Sequence, residues 1–351
     1  MMKEVRVIVV DDSPTMQRLI ASILEEDPAI TVVGIASDPY EARDKIKALN
    51  PDVITLDLEM PNMNGLDFLR QIMRLRPMPV VVISSHTTKG TVATFDALRI
   101  GAVGCLEKPR LDDEKAFEAM RRTVREAALH SAEITSLRPQ QEPAPSLARP
   151  APIAGRMSAR NDQPDIIAIG ASTGGIEAIT TVLKDFPADC PPTVITQHLP
   201  PNFTKSFAER LNRQVPPSVK EAEDGEKLQR GWVYIAPGGD GHLTIRGSTM
   251  QHCRIDPAGP VSGHRPSVDV MMSSVADLTN CKRSAALLTG MGRDGAEGML
   301  RIRDRGGYTI AQDKESCLVY GMPKVAVSIG GASISLPLRE ISAALLGGAS
   351  S

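Results

Sequence analysis

Five short apolar runs recur through the first third of the chain: Val5–Val10, Ile30–Val33, Val53–Asp57, Val80–Ser84 and Val103–Glu107. Between them apolar residues return at helical spacing, so this segment reads as strands alternating with helices and predicts a parallel α/β sheet. The same pattern resumes at Ile166–Ile169, Thr193–Thr196 and Ala285–Leu288, each run followed by a polar or glycine-rich stretch. A second α/β domain, doubly wound and mostly parallel, is expected there. Between the two blocks the pattern lapses. Residues 135–164 hold six prolines, and no Phe, Tyr or Trp lies between Phe117 and Phe186. Such a stretch cannot bury enough apolar surface to offset its chain entropy, which predicts a flexible linker over 131–163 separating domains at 1–130 and 164–346.

Length agrees with this division, since 351 residues exceed what one ordinary core holds. Charge narrows the partners: 40 basic against 42 acidic residues leave a formal net charge of -2, with no global attraction for nucleic acid or an anionic membrane. The five cysteines are scattered without metal-ligand spacing, which fits a reducing cytoplasm. No secretory signal and no apolar stretch of spanning length is visible, so the expectation is a soluble cytoplasmic protein without direct membrane insertion.

In parallel sheets, ligands sit at the carboxyl ends of the strands, and polar residues collect there in the first block. Asp11 and Asp12 end the first run, Asp57 the third, Ser84 and Ser85 the fourth, and Lys108-Pro109 follows the fifth. Three carboxylates beside one lysine suit a hard cation and a phosphoryl group. Together with Met60-Pro61 and Gly65, these positions resemble response-regulator receiver domains over residues 1–130. The resemblance implies a flavodoxin-like fold and phosphorylation of Asp57 by a chemotaxis-type histidine kinase. It also implies Mg²⁺ bound by Asp11, Asp12, Asp57 and the backbone carbonyl of Glu59, with Ser84 and Lys108 on the phosphoryl oxygens. One departure stands out: Cys105 occupies the position where that family usually has an aromatic switch residue.

In the second block, Gly170-Ala171-Ser172-Thr173-Gly174-Gly175 follows an apolar run. The Gly-x-Ser-x-Gly spacing is that of a nucleophile elbow, in which a sharp strand-to-helix turn exposes a serine hydroxyl. A serine nucleophile needs a base, and the base an orienting acid. Of six histidines, His86 and His130 belong to the first block and the linker approach. His198, at the end of the run Thr193–Thr196, suits a general base. His242 and His264 lie in loops that could shape a cleft, and His252 reads as a surface residue. Asp294, in a glycine-rich loop after Ala285–Leu288, is the best-placed acid, with Asp240 and Asp269 as rivals. Two other classes compete. A nucleotide-binding loop is disfavoured because the spacing is not Gly-x-Gly-x-x-Gly and no acid ends a strand about 20 residues on. A DNA-binding output is disfavoured by the charge and by the lack of a basic recognition helix.

The second block closely resembles the catalytic domain of chemotaxis protein-glutamate methylesterases, the CheB family, over 164–346. The resemblance rests on Gly170–Gly175, Gln197-His198, Tyr234–Gly239, Gly263–Asp269 and Leu288–Gly295. It selects Ser172, His198 and Asp294 as the triad and implies hydrolysis of glutamyl methyl esters on chemoreceptor helices, with deamidation of receptor glutamines. Thr173 and Met291 become the oxyanion candidates, and no cofactor is expected in this domain. The family further implies that the unphosphorylated receiver packs over the catalytic cleft and inhibits it.

Overall fold

Helix starts in the amino-terminal block are written into the residues just past the strand ends. Ser13, Asp38 and Asn64 each accept a hydrogen bond from a backbone N–H of the first helical turn, and Pro14 and Pro39 occupy the first helical positions. These caps satisfy N–H groups that have no partner within the helix. The chain therefore turns from strand to helix within a few residues, leaving the intervening acids at the sheet edge.

The computed structural model describes residues 4–60, 64–84, 88–110, 113–129, 163–201, 203–239, 241–248 and 250–347, with backbone alone at 88–92 and 115. Pro61, Ser85, His86, His130, Asp240 and nearly all of the expected linker lie outside the described residues. The chain divides into two compact units, Met1–Gln141 and Glu142–Ser351.

The first unit runs β1 (Val5–Val10), α1 (Pro14–Glu25), β2 (Ile30–Ala36), α2 (Pro39–Leu49), β3 (Val53–Asp57), α3 (Gly65–Leu75), β4 (Val80–Ser84), α4 (Thr88–Ile100), β5 (Gly104–Glu107) and α5 (Glu114–Leu129). Its sheet has the order β2-β1-β3-β4-β5, wholly parallel, which is the flavodoxin-like arrangement. Ile8, Val10, Ile54, Leu56, Val80 and Val82 pack with α2 and α3 on one face. Val7, Val9, Val81 and Ile83 are equally buried on the other, as expected when helices cover both sides of a parallel sheet.

The second unit runs β6 (Ile166–Ala171), α6 (Gly175–Lys184), β7 (Thr193–Gln197), α7 (Phe203–Asn212), β8 (Ser218–Glu221), β9 (Trp232–Ile235), β10 (His242–Arg246), β11 (His252–Asp256), α8 (Val268–Ala276), β12 (Arg283–Leu287), α9 (Ala296–Asp304), β13 (Tyr308–Gln312), α10 (Met322–Ser328), β14 (Ile334–Leu336) and α11 (Leu338–Leu345). Seven parallel strands form the sheet β14-β13-β12-β6-β7-β9-β8, and β10-β11 is a separate antiparallel hairpin. Strand order reverses beside β6: β7 lies on one side and β12 on the other. That reversal is where open α/β sheets leave a crevice at their carboxyl edge. The helix α8 lies against β6, β7 and β12, and the hairpin packs on α8, in one core that holds Leu243, Ile245, Met271, Met272 and Val275. His242 thus starts a strand rather than lying in a loop, and His252 is half-buried on β11 rather than at the surface.

Candidate functional site

Ser172, His198 and Asp294 come from three different strand ends that the sheet makes neighbours. Ala171 pairs with Gln197, so Ser172 and His198 are the next residues in register on β6 and β7. The His198 N–H donates to the Ala171 carbonyl at 3.2 Å, and the Ser172 N–H to the Thr289 carbonyl at 3.1 Å, tying in the loop beyond β12. Gln197 adds a side-chain N–H to the Ser172 carbonyl at 2.9 Å.

Two close approaches need glycine. A Cβ on Gly170 would lie 2.2 Å from Val268 Cγ1, so the absent side chain lets the start of α8 descend onto β6. A Cβ on Gly290 would lie 2.8 Å from Ser172 Cβ, so Gly290 brings the loop carrying Met291 against the serine. Gly170 therefore serves packing rather than the turn. The turn is made by Gly174, at φ +78°, before α6. Both Thr173 and Met291 are buried beside the serine, and the Thr173 carbonyl accepts from the Thr289 hydroxyl at 3.0 Å.

Asp294 lies in a cage of donors. Its Oδ2 stands 2.8 Å from His198 Nε2 and accepts the Val268 N–H at 2.8 Å. Oδ1 accepts the Ser267 hydroxyl at 2.8 Å and the Asp269 N–H at 3.0 Å. Burial opposes ionisation, but the His198 hydrogen bond and charge, with these N–H groups of the α8 start, hold the carboxyl well below the usual range. Magnitudes agree: hydrogen bonds to a charged group contribute about 1.5–3 kcal/mol each, and four such bonds outweigh a desolvation cost of several kcal/mol. An ionised carboxylate only accepts, so His198 Nε2 carries the proton. The other ring nitrogen, Nδ1, is buried and lacks a hydrogen-bond partner among the described residues.

The rival acid Asp269 has a different task. Its Oδ1 accepts the Gly298 N–H at 2.7 Å, capping α9, whose own N-cap Gly295 offers no side chain. Burial raises its carboxyl above the usual range against that hydrogen bond, and neighbouring Asp294 adds to the rise. His242 is fully buried and bonds to the Gly259 carbonyl and the Ser267 N–H, away from His198. His264 stacks on His198 with ring centroids 3.8 Å apart and 7° between planes. Ser267 was missed from the sequence although a signal existed: a serine just before the apolar run opening a helix is an N-cap pattern. The His264 stacking has no such signal, because it joins ends of segments far apart in the chain.

In the first unit, Asp11, Asp12 and Asp57 present carboxylate oxygens all within 4.8 Å of one another. That hard-oxygen set fits Mg²⁺. Asp57 Oδ2 accepts Lys108 Nζ at 2.6 Å, and its Oδ1 accepts the Glu59 N–H at 3.0 Å. Lys108 also pairs with Asp11 at 3.1 Å. Burial nonetheless raises the Asp57 carboxyl, with repulsion from Asp11 assisting and Lys108 opposing. Ser84 is buried at the end of β4 with a hydroxyl lacking a hydrogen-bond partner among the described residues. Cys105 is half-buried on β5, and burial pushes its thiol up to about 12, so it offers no reactive thiolate.

Comparison with known proteins agrees with both units. The response regulator receiver domain model matches residues 7–121, and the CheB methylesterase model matches 167–345. A protein-glutamate methylesterase/protein-glutamine glutaminase of Rhizobium etli is 51% identical over 341 residues, spanning 97% of this chain and 95% of its own. Protein-glutamate methylesterase/protein-glutamine glutaminase 1 of Caulobacter vibrioides is 50% identical over 348 residues, covering 98% of each chain. The crystal structure of the Thermotoga maritima CheB methylesterase catalytic domain is similar at a TM-score of 0.50 and 40% identity, over 52% of this chain and 96% of that one. With its acid cluster in one unit and its Ser172, His198 and Asp294 strand ends in the other, the chain belongs to the CheB methylesterase family and carries a response regulator receiver domain ahead of the esterase domain.

Proposed function

We propose that Ser172 is the nucleophile, His198 the general base and Asp294 the orienting acid of a protein-glutamate methylesterase and protein-glutamine glutaminase acting on chemoreceptor helices. The observation that carries this is the His198 ring, with Nε2 engaged by Asp294 and Nδ1 left without a partner next to the strand end bearing Ser172. Nδ1 takes the Ser172 proton as the hydroxyl attacks the glutamyl γ-carbonyl. The resulting oxyanion faces the backbone N–H groups of Thr173 and the Met291 loop. Collapse breaks the bond to the leaving group, which takes the proton from the His198 imidazolium and departs as methanol, or as ammonia from a glutamine, and water then releases the acyl group with His198 again as base. Asp294 stabilises the imidazolium formed in each half-reaction.

Domain limits at 1–130 and 164–346, joined by 131–163, accord with the receiver as a regulatory unit. Asp57 accepts a phosphoryl group from a chemotaxis-type histidine kinase, with Ser84 and Lys108 on its oxygens. Mg²⁺ held by Asp11, Asp12, Asp57 and the Glu59 carbonyl would neutralise their mutual repulsion. No helix among the described residues is long and apolar enough to cross a membrane; membership of the CheB methylesterase family supports the reading of a cytoplasmic enzyme working on the cytoplasmic helices of membrane receptors. Methanol release from methylated receptor, with and without a phosphodonor, tests the reading. Ser172→Ala is expected to lower it by about 10⁵- to 10⁶-fold while Trp232 fluorescence reports a folded domain, and retained activity would remove Ser172 as nucleophile.

A further inference from the structure

A triad histidine held by one hydrogen bond at Nε2 can still pivot about that bond, because the terminal ring torsion of histidine has broad wells. Pivoting would change the direction of Nδ1, which has no hydrogen bond of its own among the described residues to fix it. In this protein the ring face of His198 is covered by His264, parallel within 7° at 3.8 Å.

The fold holds His264 in place with some rigour. Val261 and His264 exchange backbone hydrogen bonds at 3.0 and 2.9 Å, while Ser262 and Gly263 both take positive φ, +52° and +78°. Two consecutive positive-φ residues make the tight two-residue turn whose twist suits a hairpin. Buried His242 pins both flanks of this turn. Its Nδ1 accepts the Ser267 N–H at 3.0 Å, so its Nε2 carries the proton and donates to the Gly259 carbonyl at 2.8 Å. Arg265 Nε adds a bond to the Gly239 carbonyl at 2.6 Å. Ser267, at the end of the same segment, donates to Asp294. One segment therefore presents both the ring against the face of His198 and a donor to its acid.

We propose that His264 is a positioning residue for the esterase reaction: its ring, stacked on His198, fixes the ring plane from which Nδ1 takes the Ser172 proton and offers a π face to the imidazolium that forms during attack. Attraction of that kind acts on the charged ring, which exists only as the reaction proceeds, so it favours turnover over substrate binding. The inference rests on the triad proposed above.

The test uses the full chain activated by a phosphodonor, with methylated receptor as substrate. His264→Ala is expected to lower kcat by about 10- to 100-fold, the scale of a misplaced catalytic group, with KM nearly unchanged. His264→Phe keeps a flat ring and is expected to restore kcat to within a few-fold of the parent. In ¹⁵N spectra of the ring, His264→Ala should broaden or mix the His198 signals that report a proton fixed on Nε2, and His264→Phe should keep them. A His264→Ala enzyme with unchanged kcat overturns the proposal. So does a rise in KM alone, or a folded His264→Phe enzyme as slow as His264→Ala, since either result would put His264 in contact with substrate through its nitrogens. Ser172→Ala, run in parallel, separates the failures: activity that survives loss of Ser172 overturns the triad itself, whereas activity that needs Ser172 but ignores His264 overturns only the stacking role.

Discussion

Asp57 and Asp294 are both fully buried carboxylates at the carboxyl edge of a parallel sheet, yet their environments drive them in opposite directions. Burial raises both. What differs is the donor set. Asp57 has Lys108 and a single backbone N–H, and it faces Asp11, whose charge opposes its own. Asp294 has the His198 ring, a serine hydroxyl and two N–H groups at a helix start, where the helix dipole also favours negative charge. An under-supplied carboxylate gains stability from a cation that offsets the charge of its acidic neighbours. An over-supplied one is suited to stay ionised and hold a base. Two buried acids in one chain thus differ in how readily they ionise because their donor sets differ.

The largest expected effect breaks the Asp294 side. Asp294→Asn leaves the cage nearly isosteric but permits the wrong His198 tautomer, and turnover is expected to fall by about 10³- to 10⁴-fold. Asp269→Asn, which keeps an oxygen for the cap of α9 and removes a charge beside Asp294, is expected to cost less than about tenfold, mostly through local stability. Methanol release by the two variants, side by side, checks the assignment; equal losses would return Asp269 to contention.

A smaller effect is expected from the Asp57 side. Asp57→Ala in the full chain should leave esterase activity low and unresponsive to phosphodonor, while removal of residues 1–140 should raise basal activity. A coupling of about 1–3 kcal/mol corresponds to a change of roughly 5- to 150-fold. If the truncated enzyme is no faster than the unphosphorylated full chain, restraint by the receiver is wrong and phosphorylation acts by creating a productive state.

The smallest effect sharpens the electrostatic contrast itself. A carboxyl lowered on folding adds stability above its unfolded pKa, near 4, and loses it as pH falls through the lowered value. The single tryptophan, Trp232, lies on β9, so urea unfolding followed by its fluorescence reports the second unit. The advantage of the parent over Asp294→Asn should be full at neutral pH and shrink as pH drops below about 4. Asp57 has the opposite sign: its raised carboxyl adds stability only at low pH and loses it as pH rises through the raised value. Asp57→Asn is therefore expected to stabilise the first unit at neutral pH by about 1 kcal/mol, since Lys108 keeps Asp11 as partner. Hydrogen-exchange protection of β1 and β3 amides, against the parent, measures it; a loss of protection would show that the Lys108 pair outweighs burial.

Much of this protein is legible in its sequence. Strand runs at Val5–Val10, Val53–Asp57 and Val80–Ser84 coincide with β1, β3 and β4, because continuous apolar runs bounded by acids or serines have few other ways to fold. Motif spacing placed Ser172 on a strand-to-helix turn, with Gly174 at positive φ. These are local properties, set by residues within a few positions of one another. The hairpin β10-β11 was not anticipated, and His242 was misread as a loop residue, since burial of a histidine at a strand start depends on partners 17 and 25 positions away. Spacing favours Asp294 over its rivals Asp240 and Asp269 only modestly, because all three follow small polar or glycine-rich segments. Only the tertiary structure decided that four donors converge on Asp294, that Gly170 exists to admit Val268, and that His264 lies flat on His198. Each of those is a contact between segments tens of residues apart, fixed by strand order and helix approach, and periodicity along a chain carries no record of which distant ends will meet.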